Sequence, residues 1–355
     1  MVATNMISAP PTARLSIDLS ALTHNYQALR ARAGAAEVAP VVKADAYGLG
    51  MAALAPWLMH QGARTFFVAR LAEGAALRKV LGADPIIYVL DGLTDGATFS
   101  THNLRPVLST PIHYQQWING PSDVVAALHI DTGMNRLGIR PEEVSSLPDL
   151  GKYLISLVMS HLACGDEPGH PLNFQQLIKF RSSAAFFPRA QKSLANTAGA
   201  YLGQDYAFDL VRPGIGLYGG GPFGVAHSDI ATVAYLSAKI LQVREVRAGE
   251  TVGYGATFTA TQDMTVATCG LGYADGFLRS FSSGFVTVLG EVRQITGRIS
   301  MDLFTCDVTG LKVTTDDWVE VLGGSQNLDA VAAKAGTIGY ELLTRLGPRI
   351  ARQYT

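Results

Sequence analysis

One lysine in this chain follows an apolar run and stands where it could do chemistry. The run from Val38 to Val42 leads directly to Lys43, and Tyr47 follows four residues later, before a glycine-rich turn. Desolvation in apolar surroundings favours the neutral amine of a lysine, which is its nucleophilic form. Taken alone, a lysine at a strand end more often extends its amine to solvent. A reactive role for Lys43 therefore depends on the residues around it.

A second stretch with chemical potential runs from Arg212 to Gly219 and is rich in glycine. It follows the last apolar run of the N-terminal part, and its glycines would let backbone N–H groups approach an anion closely. The hydroxyl of Thr197, directly after Asn196, could add to such an anion site. A glycine-rich loop alone is usually only a turn or a linker, so this feature needs support from other motifs.

Further candidate side chains stand in other motifs. Arg136, in the segment DTGMNRLG, would suit a carboxylate, although a surface ion pair is the commoner role. His161, in SHLAC, would more often be a hydrogen-bonded structural histidine than a catalytic one. Tyr254, Tyr273 and Met301 stand in glycine-flanked segments, where half-buried packing is the alternative for each tyrosine.

The elements that must position these residues alternate between strand and helix in the N-terminal part. Apolar runs without alternation indicate strands covered on both faces, and helical segments between them indicate parallel crossovers. Eight such runs predict a (β/α)8 TIM barrel, with a doubly wound open sheet as the alternative. The runs lie at about residues 38–43, 65–69, 86–90, 105–108, 124–130, 153–160, 192–195 and 207–211. The helical segments lie at about 51–61, 71–81, 111–119, 141–149 and 171–187.

Beyond about residue 231 the pattern changes to short β runs separated by glycine turns, and helical periodicity returns only near 328–335 and 339–346. This indicates a second, β-rich domain. We therefore predict an α/β barrel domain over residues 17–231 and a C-terminal β-rich domain over residues 232–355. Function in a barrel gathers at the C-terminal ends of the strands. The candidates at or near such ends are Lys43, His129, His161, Asn196 and Arg212.

Composition excludes several classes of partner. The chain has 355 residues, 48% hydrophobic and 16% charged, which is typical of a well-buried globular protein. A net charge of −1 without a basic block argues against nucleic acid and anionic membranes as partners. No signal-peptide pattern and no membrane-spanning stretch is found, so a cytoplasmic protein is expected. Three cysteines without CxxC spacing predict reduced thiols, and no metal site is expected.

Taken together, the motifs resemble those of the alanine racemase family in order and spacing, over about residues 12–352. The resemblance implies a pyridoxal 5′-phosphate enzyme with an N-terminal barrel and a C-terminal β domain that takes in residues 1–16. It also implies a head-to-tail homodimer whose active sites draw residues from both subunits. The motifs are VVKADAYGLG, DTGMNRLG, SHLACGDE, ANTAG, VRPGIGLYG, VGYGATF, GLGYADGF and GRISMD.

Residue roles carry over from this resemblance position by position. Lys43 would bind the cofactor covalently and act as a base on one face of the substrate Cα, and Tyr254 of the partner subunit would act on the other. Inversion needs both, because one face loses a proton and the opposite face gains one. Arg212 would face the pyridine nitrogen. The other implied cofactor contacts are Tyr47, Arg136, His161, Asn196, Thr197, Gly214 and Ile215, and the implied substrate contacts are Arg136, Tyr273 and Met301.

Several positions depart from the family pattern. Many members have a lysine, often carbamylated, two residues before the Asp-Thr-Gly, whereas His129 stands there in this chain. A carbamate bridge to Arg136 therefore cannot form, and we hypothesise that an anion such as chloride, or a water, holds Arg136 instead. Ser193 replaces a usual histidine, and Ser300 replaces a usual cysteine. A C-terminal tyrosine that often binds the phosphate is missing, with Arg345 close to its place.

The resemblance implies interconversion of L- and D-alanine, which would supply D-alanine as a peptidoglycan precursor or consume it. Two alternatives stay open. The same scaffold could accept other amino acids such as serine, because a small pocket rejects one added hydroxyl poorly. The other alternative is a protein that binds the cofactor without turnover, and such a protein would lack the β domain that carries Tyr254.

Overall fold

The computed structural model of the protein describes residues 11–355, which fold as two compact units. One unit comprises the described residues up to Asp18 together with Thr232–Thr355, and the other comprises Leu19–Ala231. The first ten residues, which the resemblance assigns to the β domain, lie outside the described residues. In the part of the chain that the structure describes, no helix combines the length and the apolar character needed to cross a membrane.

Within Leu19–Ala231, eight short parallel strands close into a barrel. Six of them form one sheet in sequence order, and the first and last strands pair with each other. A parallel bridge joins Val41 to Phe67, and the N–H of Arg212 donates to the carbonyl of Ala195, which completes the ring. Closure confirms the predicted (β/α)8 barrel over the open sheet. The strands are Glu37–Val38, Thr65–Val68, Ile86–Val89, Arg105–Leu108, Ala126–His129, Ile155–Met159, Gln191–Ser193 and Leu210–Val211.

The barrel strands read as continuous apolar runs because both of their faces are covered. Every residue of Thr65–Val68 and of Ala126–His129 is buried. The inner face packs within the barrel and the outer face packs under the helices. The helices of this unit are Leu19–Ala33, Met51–His60, Leu71–Leu81, Gly96–Thr101, Pro111–Ile118, Pro141–Val144, Pro171–Ala184, Thr197–Tyr201 and Gln204–Ala207, together with the single turn Lys43–Tyr47.

The structure corrects the predicted elements mainly where segments are short. The strand predicted at 38–43 is only Glu37–Val38, and Lys43 begins a helical turn instead. The helix predicted at 141–149 ends at Val144. Helices of six, five and four residues were not predicted, because they contain too few turns to show a 3.6-residue period. They are Gly96–Thr101, Thr197–Tyr201 and Gln204–Ala207.

The other unit is organised around the long strand Ala234–Val246. This strand pairs antiparallel with Ala13–Ile17, Met264–Cys269 and Trp318–Leu322. Alternate residues of Ala13–Ile17 are buried, as expected of a strand with one face on a core. The predicted β-rich C-terminal domain is thereby confirmed. Its other strands are Thr251–Val252, Phe258–Thr259, Phe285–Val288, Glu291–Gln294, Phe304–Asp307 and Ala351–Tyr354, and its helices are Leu328–Lys334 and Gly339–Thr344.

Candidate active site

Lys43 begins a left-handed turn just beyond the first barrel strand. The N–H of Val42 donates to the carbonyl of Phe67 at 2.9 Å, which fixes the chain beside the next strand. From Ala44 to Tyr47, four consecutive residues other than glycine have φ between 52° and 58°. The left-handed conformation costs an L-residue roughly 1–2 kcal/mol per position, so contacts around the turn must impose it.

Part of this stabilisation comes from the turn and the loop after it. Gly48, with φ of 82°, donates its N–H to the carbonyl of Ala44 at 2.8 Å and ends the turn. Asp45 accepts a hydrogen bond from the N–H of Met51 at 2.7 Å, which ties the turn to the start of the next helix. At the entry, the N–H of Ala46 donates to the carbonyl of Val42 at 2.9 Å, so short-range bonds close the turn on both sides of Lys43 and Ala44.

The amine of Lys43 lies in an environment that favours its neutral form. Burial is the main cause that lowers the pKa of Lys43, and the positive charge of Arg136 lowers it further. The carboxylates of Glu73 and Asp91 act in the opposite direction. A lowered pKa increases the fraction of neutral amine, which is the form that attacks a carbonyl carbon.

Thr197, Tyr47 and the glycine-rich loop meet within the barrel unit. Thr197 is buried, and its hydroxyl oxygen accepts hydrogen bonds from the N–H groups of Gly214 and Gly216 at 3.1 and 3.2 Å. A Cβ on Gly214 would lie 2.1 Å from the hydroxyl of Tyr47, so any larger residue there would displace the Tyr47 ring. Tyr47 packs on Tyr218 with ring centroids 4.9 Å apart. Hydroxyl groups such as those of Thr197 and Tyr47 can donate hydrogen bonds to a phosphate.

Two other predicted residues of this region have clear positions. Ile215 is buried and begins the short 3-10 turn Ile215–Tyr218 in the glycine-rich loop. Asn196 caps the helix Thr197–Tyr201, because its Oδ1 accepts from the N–H of Gly199 at 2.9 Å. Asn196 therefore positions Thr197, and its role toward a cofactor stays a prediction.

Arg212 is buried and held by three acceptors. Its guanidinium donates to the hydroxyl of Ser193, to the carbonyl of Ser160 at 2.5 Å and to the carbonyl of Leu194 at 3.4 Å. Burial lowers the pKa of Arg212 to about 9, so the guanidinium stays protonated at neutral pH. Ser193, which stands where the family pattern has a histidine, thus supports this arginine directly.

Two histidines near Arg212 are kept neutral. His129 ends the strand Ala126–His129, and burial, reinforced by Arg212, lowers its pKa to about 4. Burial also lowers the pKa of His161 well below its ordinary value, with Arg212 as the next cause. At neutral pH both imidazoles are therefore uncharged, while the guanidinium of Arg212 keeps its charge.

Arg136 lies in a loop that Asp131 shapes. Oδ1 of Asp131 accepts hydrogen bonds from three successive backbone N–H groups, at 3.0, 2.9 and 3.1 Å, those of Gly133, Met134 and Asn135. The side chain of Arg136 is exposed, and its charge opposes protonation of Lys43 and His129. An anion or water beside Arg136 stays a prediction.

The donor set of this pocket fits pyridoxal 5′-phosphate. The Lys43 amine with its lowered pKa suits covalent attachment, and the hydroxyls of Thr197 and Tyr47 suit the phosphate. The protonated guanidinium of Arg212 suits an accepting ring nitrogen. Among residues 11–355 no cluster of three or more His, Cys, Asp or Glu side chains could hold a metal ion.

Tyr254, Tyr273 and Met301 lie in the β-rich unit. Tyr254 begins a one-turn segment in the hairpin that joins Thr251–Val252 to Phe258–Thr259. The side chains of Tyr254, Met301 and Tyr273 are 71%, 55% and 44% exposed. Large side chains exposed to this extent are available to a partner molecule.

The loops that carry Tyr273 and Met301 are in close backbone contact. Tyr273 donates its N–H to the carbonyl of Ser300 at 3.1 Å. A Cβ on Gly272 would lie 2.3 Å from the carbonyl oxygen of Met301, so the two loops can approach only because glycine is present. Tyr273 and Met301, both predicted to contact the substrate, therefore lie on loops that are held together by backbone contacts.

Arg349, which the sequence did not single out, clamps the same two loops. It pairs with the buried carboxylate of Asp275 at 3.1 Å and with Asp302 at 2.9 Å. Asp275 also accepts from the N–H of Gly272 at 2.9 Å. A single arginine near the C-terminus carries no sequence signal of its partners, because its ion pairs are with residues far away along the chain.

Comparison with known proteins identifies the family. Residues 17–222 match the family model "Alanine racemase, N-terminal domain", and residues 233–354 match "Alanine racemase, C-terminal domain". The chain belongs to the alanine racemase family. It is 44% identical to the alanine racemase of Rhodospirillum rubrum, over 97% of this chain and 96% of that protein. It is 42% identical to a relative named "Alanine racemase, catabolic" from Mesorhizobium japonicum, over 96% of this chain and 92% of that protein.

Solved structures of the alanine racemase family share the fold. The Bartonella henselae alanine racemase with covalently bound pyridoxal phosphate matches with a TM-score of 0.92 and 37% identity, over 98% of this chain and 100% of that chain. The biosynthetic alanine racemase of Pseudomonas aeruginosa matches with a TM-score of 0.91 and 34% identity, over 97% of this chain and 99% of that chain. The resemblance drawn from the motifs is confirmed.

Proposed function

We propose that this chain is an alanine racemase that interconverts L- and D-alanine with pyridoxal 5′-phosphate as cofactor. The observation that carries the proposal is the placement of Lys43, whose pKa is lowered by burial. The same barrel also contains the buried Arg212 and Thr197, whose hydroxyl is bonded to the glycine-rich loop. Membership of the family over both domains supports the same reaction.

Each part of the pocket would have one task toward the cofactor. When bound, pyridoxal phosphate would delocalise the electron pair that remains on the substrate Cα after its proton leaves. Lys43 would hold the cofactor covalently. Arg212 can only donate hydrogen bonds, so facing the ring nitrogen it would keep that nitrogen unprotonated and limit side reactions such as transamination. The phosphate would be held by Tyr47, Thr197, Gly214 and Ile215.

Racemisation needs proton-transfer groups on both faces of Cα. Lys43 would remove or return the proton on one face, and Tyr254 of the partner subunit would do so on the other. Arg136 would bind the substrate carboxylate. The exposure of Tyr254 and Met301 in the single chain supports a head-to-tail homodimer, in which a second copy covers these side chains. Sedimentation of the cofactor-loaded protein tests the dimer, and a monomer at assay concentration would contradict it.

Incubation of the purified, cofactor-loaded protein with L-alanine in deuterated water tests the reaction. We expect D-alanine with deuterium at Cα, because the acid group on the second face exchanges its proton for a deuteron from the solvent and then delivers that deuteron to Cα. If no D-alanine forms, the proposed function is wrong. The same assay with L-serine measures how strictly the pocket selects alanine. Cytoplasmic location stays a prediction, which cell fractionation would check.

A further inference from the structure

Glu73 bonds to two separate segments of the barrel unit at once. Its Oε2 accepts hydrogen bonds from the N–H groups of Ala69 and Arg70, at 2.8 and 3.0 Å, and so caps the helix to which Glu73 belongs. Its Oε1 accepts from the N–H of Ala44 at 2.8 Å. One carboxylate therefore joins a helix start to the left-handed turn that follows Lys43.

The bond to Ala44 acts at the first left-handed residue of the chain after the lysine. Ala44 has φ of 52° and ψ of 47°, a conformation that alanine rarely adopts. Because a hydrogen bond is directional, a carboxylate fixed on a helix restricts the peptide plane between Lys43 and Ala44. That plane in turn restricts the backbone from which the Lys43 side chain departs.

Glu73 also contributes to the charge around the amine. Together with Asp91 it favours the protonated form of Lys43, against burial and the positive charge of Arg136. A substitution at Glu73 therefore changes both the geometry of the turn and the electrostatics of the amine, and a test must separate the two effects.

We propose that Glu73 is a positioning residue for Lys43: by holding the left-handed turn, it presents the amine in one orientation to the carbonyl carbon that it attacks. The proposal rests on the proposed function of Lys43 as the cofactor-binding lysine. In the step concerned, a carbon–nitrogen double bond forms between the amine and the cofactor aldehyde, and one water is released without any change in oxidation state.

The chain offers a matched control for the capping role. Glu143 occupies the same position in the capping box of the helix Pro141–Val144, and its Oε2 accepts from the N–H of Arg140 at 2.9 Å. Glu143→Gln weakens a helix cap of the same type in a different part of the chain. It therefore reports what the loss of a cap alone does to the protein.

The experiment measures cofactor attachment, not racemisation. Full-length protein is stripped of cofactor and mixed with pyridoxal 5′-phosphate over a pH series, and attachment is followed by absorbance. Borohydride reduction and peptide mass spectrometry identify the modified lysine. For Glu73→Gln we expect the rate on the high-pH plateau, where the amine is neutral, to fall by about tenfold, as for the loss of one charge-assisted hydrogen bond. Glu143→Gln should attach the cofactor at the native rate on the high-pH plateau.

The pH profile separates positioning from charge. If Glu73→Gln shifts the profile to lower pH and leaves the plateau unchanged, Glu73 acts only through its charge and the proposal is wrong. Glu73→Asp keeps the charge but shortens the side chain. We therefore expect a lower rate of cofactor attachment on the high-pH plateau, with the midpoint of the pH profile close to that of the native protein. If reduction of the native protein labels a lysine other than Lys43, the proposed function fails instead, and the two failures are distinguishable.

Discussion

The hydroxyl of Ser193 accepts a hydrogen bond from the guanidinium of Arg212. The same hydroxyl donates to the carbonyl of Leu210 at 2.5 Å, so it links the arginine to the backbone of the last barrel strand. A serine can serve in both ways because its oxygen accepts while its proton donates. It holds Arg212 in place without adding a further titratable group to the two histidines, His129 and His161, that lie near the guanidinium.

Replacement of this serine should therefore loosen the arginine. Ser193→Ala leaves a buried guanidinium N–H without its acceptor, and we expect the free energy of unfolding to fall by about 1–3 kcal/mol. Urea unfolding measures this loss, and absorbance of the bound cofactor reports whether its environment changes. Ser182→Ala, at a serine whose hydrogen bond is exposed, is the control. Equal unfolding curves for the two variants would contradict a supporting role for Ser193.

Removal of the amine of Lys43 should abolish covalent attachment of the cofactor. We expect Lys43→Ala to lack the visible absorbance of the bound cofactor and to form no D-alanine, because the amine proposed to attach the cofactor is removed. Absorbance after loading and dialysis, together with the racemisation assay, checks both outcomes. Lys79→Ala, at an exposed lysine, should behave as the native protein. Coloured and active Lys43→Ala protein would disprove the central assignment.

Removal of the hydroxyl of Tyr254 should impair proton transfer on one face of the substrate Cα. Tyr254 is exposed in the single chain, so Tyr254→Phe should change the free energy of unfolding by less than about 0.5 kcal/mol. We expect racemisation to fall by at least about 100-fold, because one of the two proton-transfer groups is lost. Exchange of the Cα proton in deuterated water, followed separately from L- and D-alanine, should be impaired mainly for one enantiomer. Loss of cofactor binding by this variant would count against the two-base assignment.

Loss of Arg349 should disturb the two loops that it clamps. Arg349→Met leaves the buried carboxylate of Asp275 without its cation, which should cost about 1–3 kcal/mol of stability. Because these loops carry Tyr273 and Met301, we expect KM for alanine to rise by roughly three- to tenfold, equivalent to a weakened binding contact. Steady-state kinetics and thermal unfolding measure the two effects. Arg181→Met breaks an exposed arginine ion pair elsewhere and should leave KM unchanged.

The buried neutral His129 predicts a loss of stability in acid. Burial lowers its pKa from 6.5 to about 4, whereas in the unfolded chain it takes up a proton near pH 6.5. Above pH 6.5 the titration of His129 does not lower the stability, because its imidazole is neutral in both the folded and the unfolded chain. As the pH falls from about 6.5 to about 4, only the unfolded state gains the proton, and stability decreases by roughly 3 kcal/mol.

Urea unfolding at a series of pH values measures this effect. His129→Gln should lose less stability between about pH 7 and pH 4.5 than the native protein, since glutamine does not titrate. Part of the decrease in stability with falling pH should persist in this variant, because burial also lowers the pKa of His161. His24→Gln, at an exposed histidine, is the control. The same slope in all three proteins would show that His129 is not buried in its neutral form.

The sequence was enough to predict the architecture and to single out Lys43 as the candidate central residue of the site. Apolar runs separated by helical segments predicted the barrel, because burial on both faces leaves a continuous pattern along each strand. The loss of helical periodicity beyond residue 231 predicted the β-rich domain. The prediction for Lys43 came from the apolar run before it and from the resemblance of the motifs that follow it in order, and it stays a prediction.

The tertiary structure alone decided how the site is held. The sequence predicted an extended strand through Lys43, whereas the chain turns left-handed there, because bonds from distant groups outweigh the local preference of alanine and tyrosine. The partners of Glu73 and Arg349 were also beyond prediction. Each of these side chains bonds to residues far away in the sequence, and such pairs are defined only when folding brings the segments together.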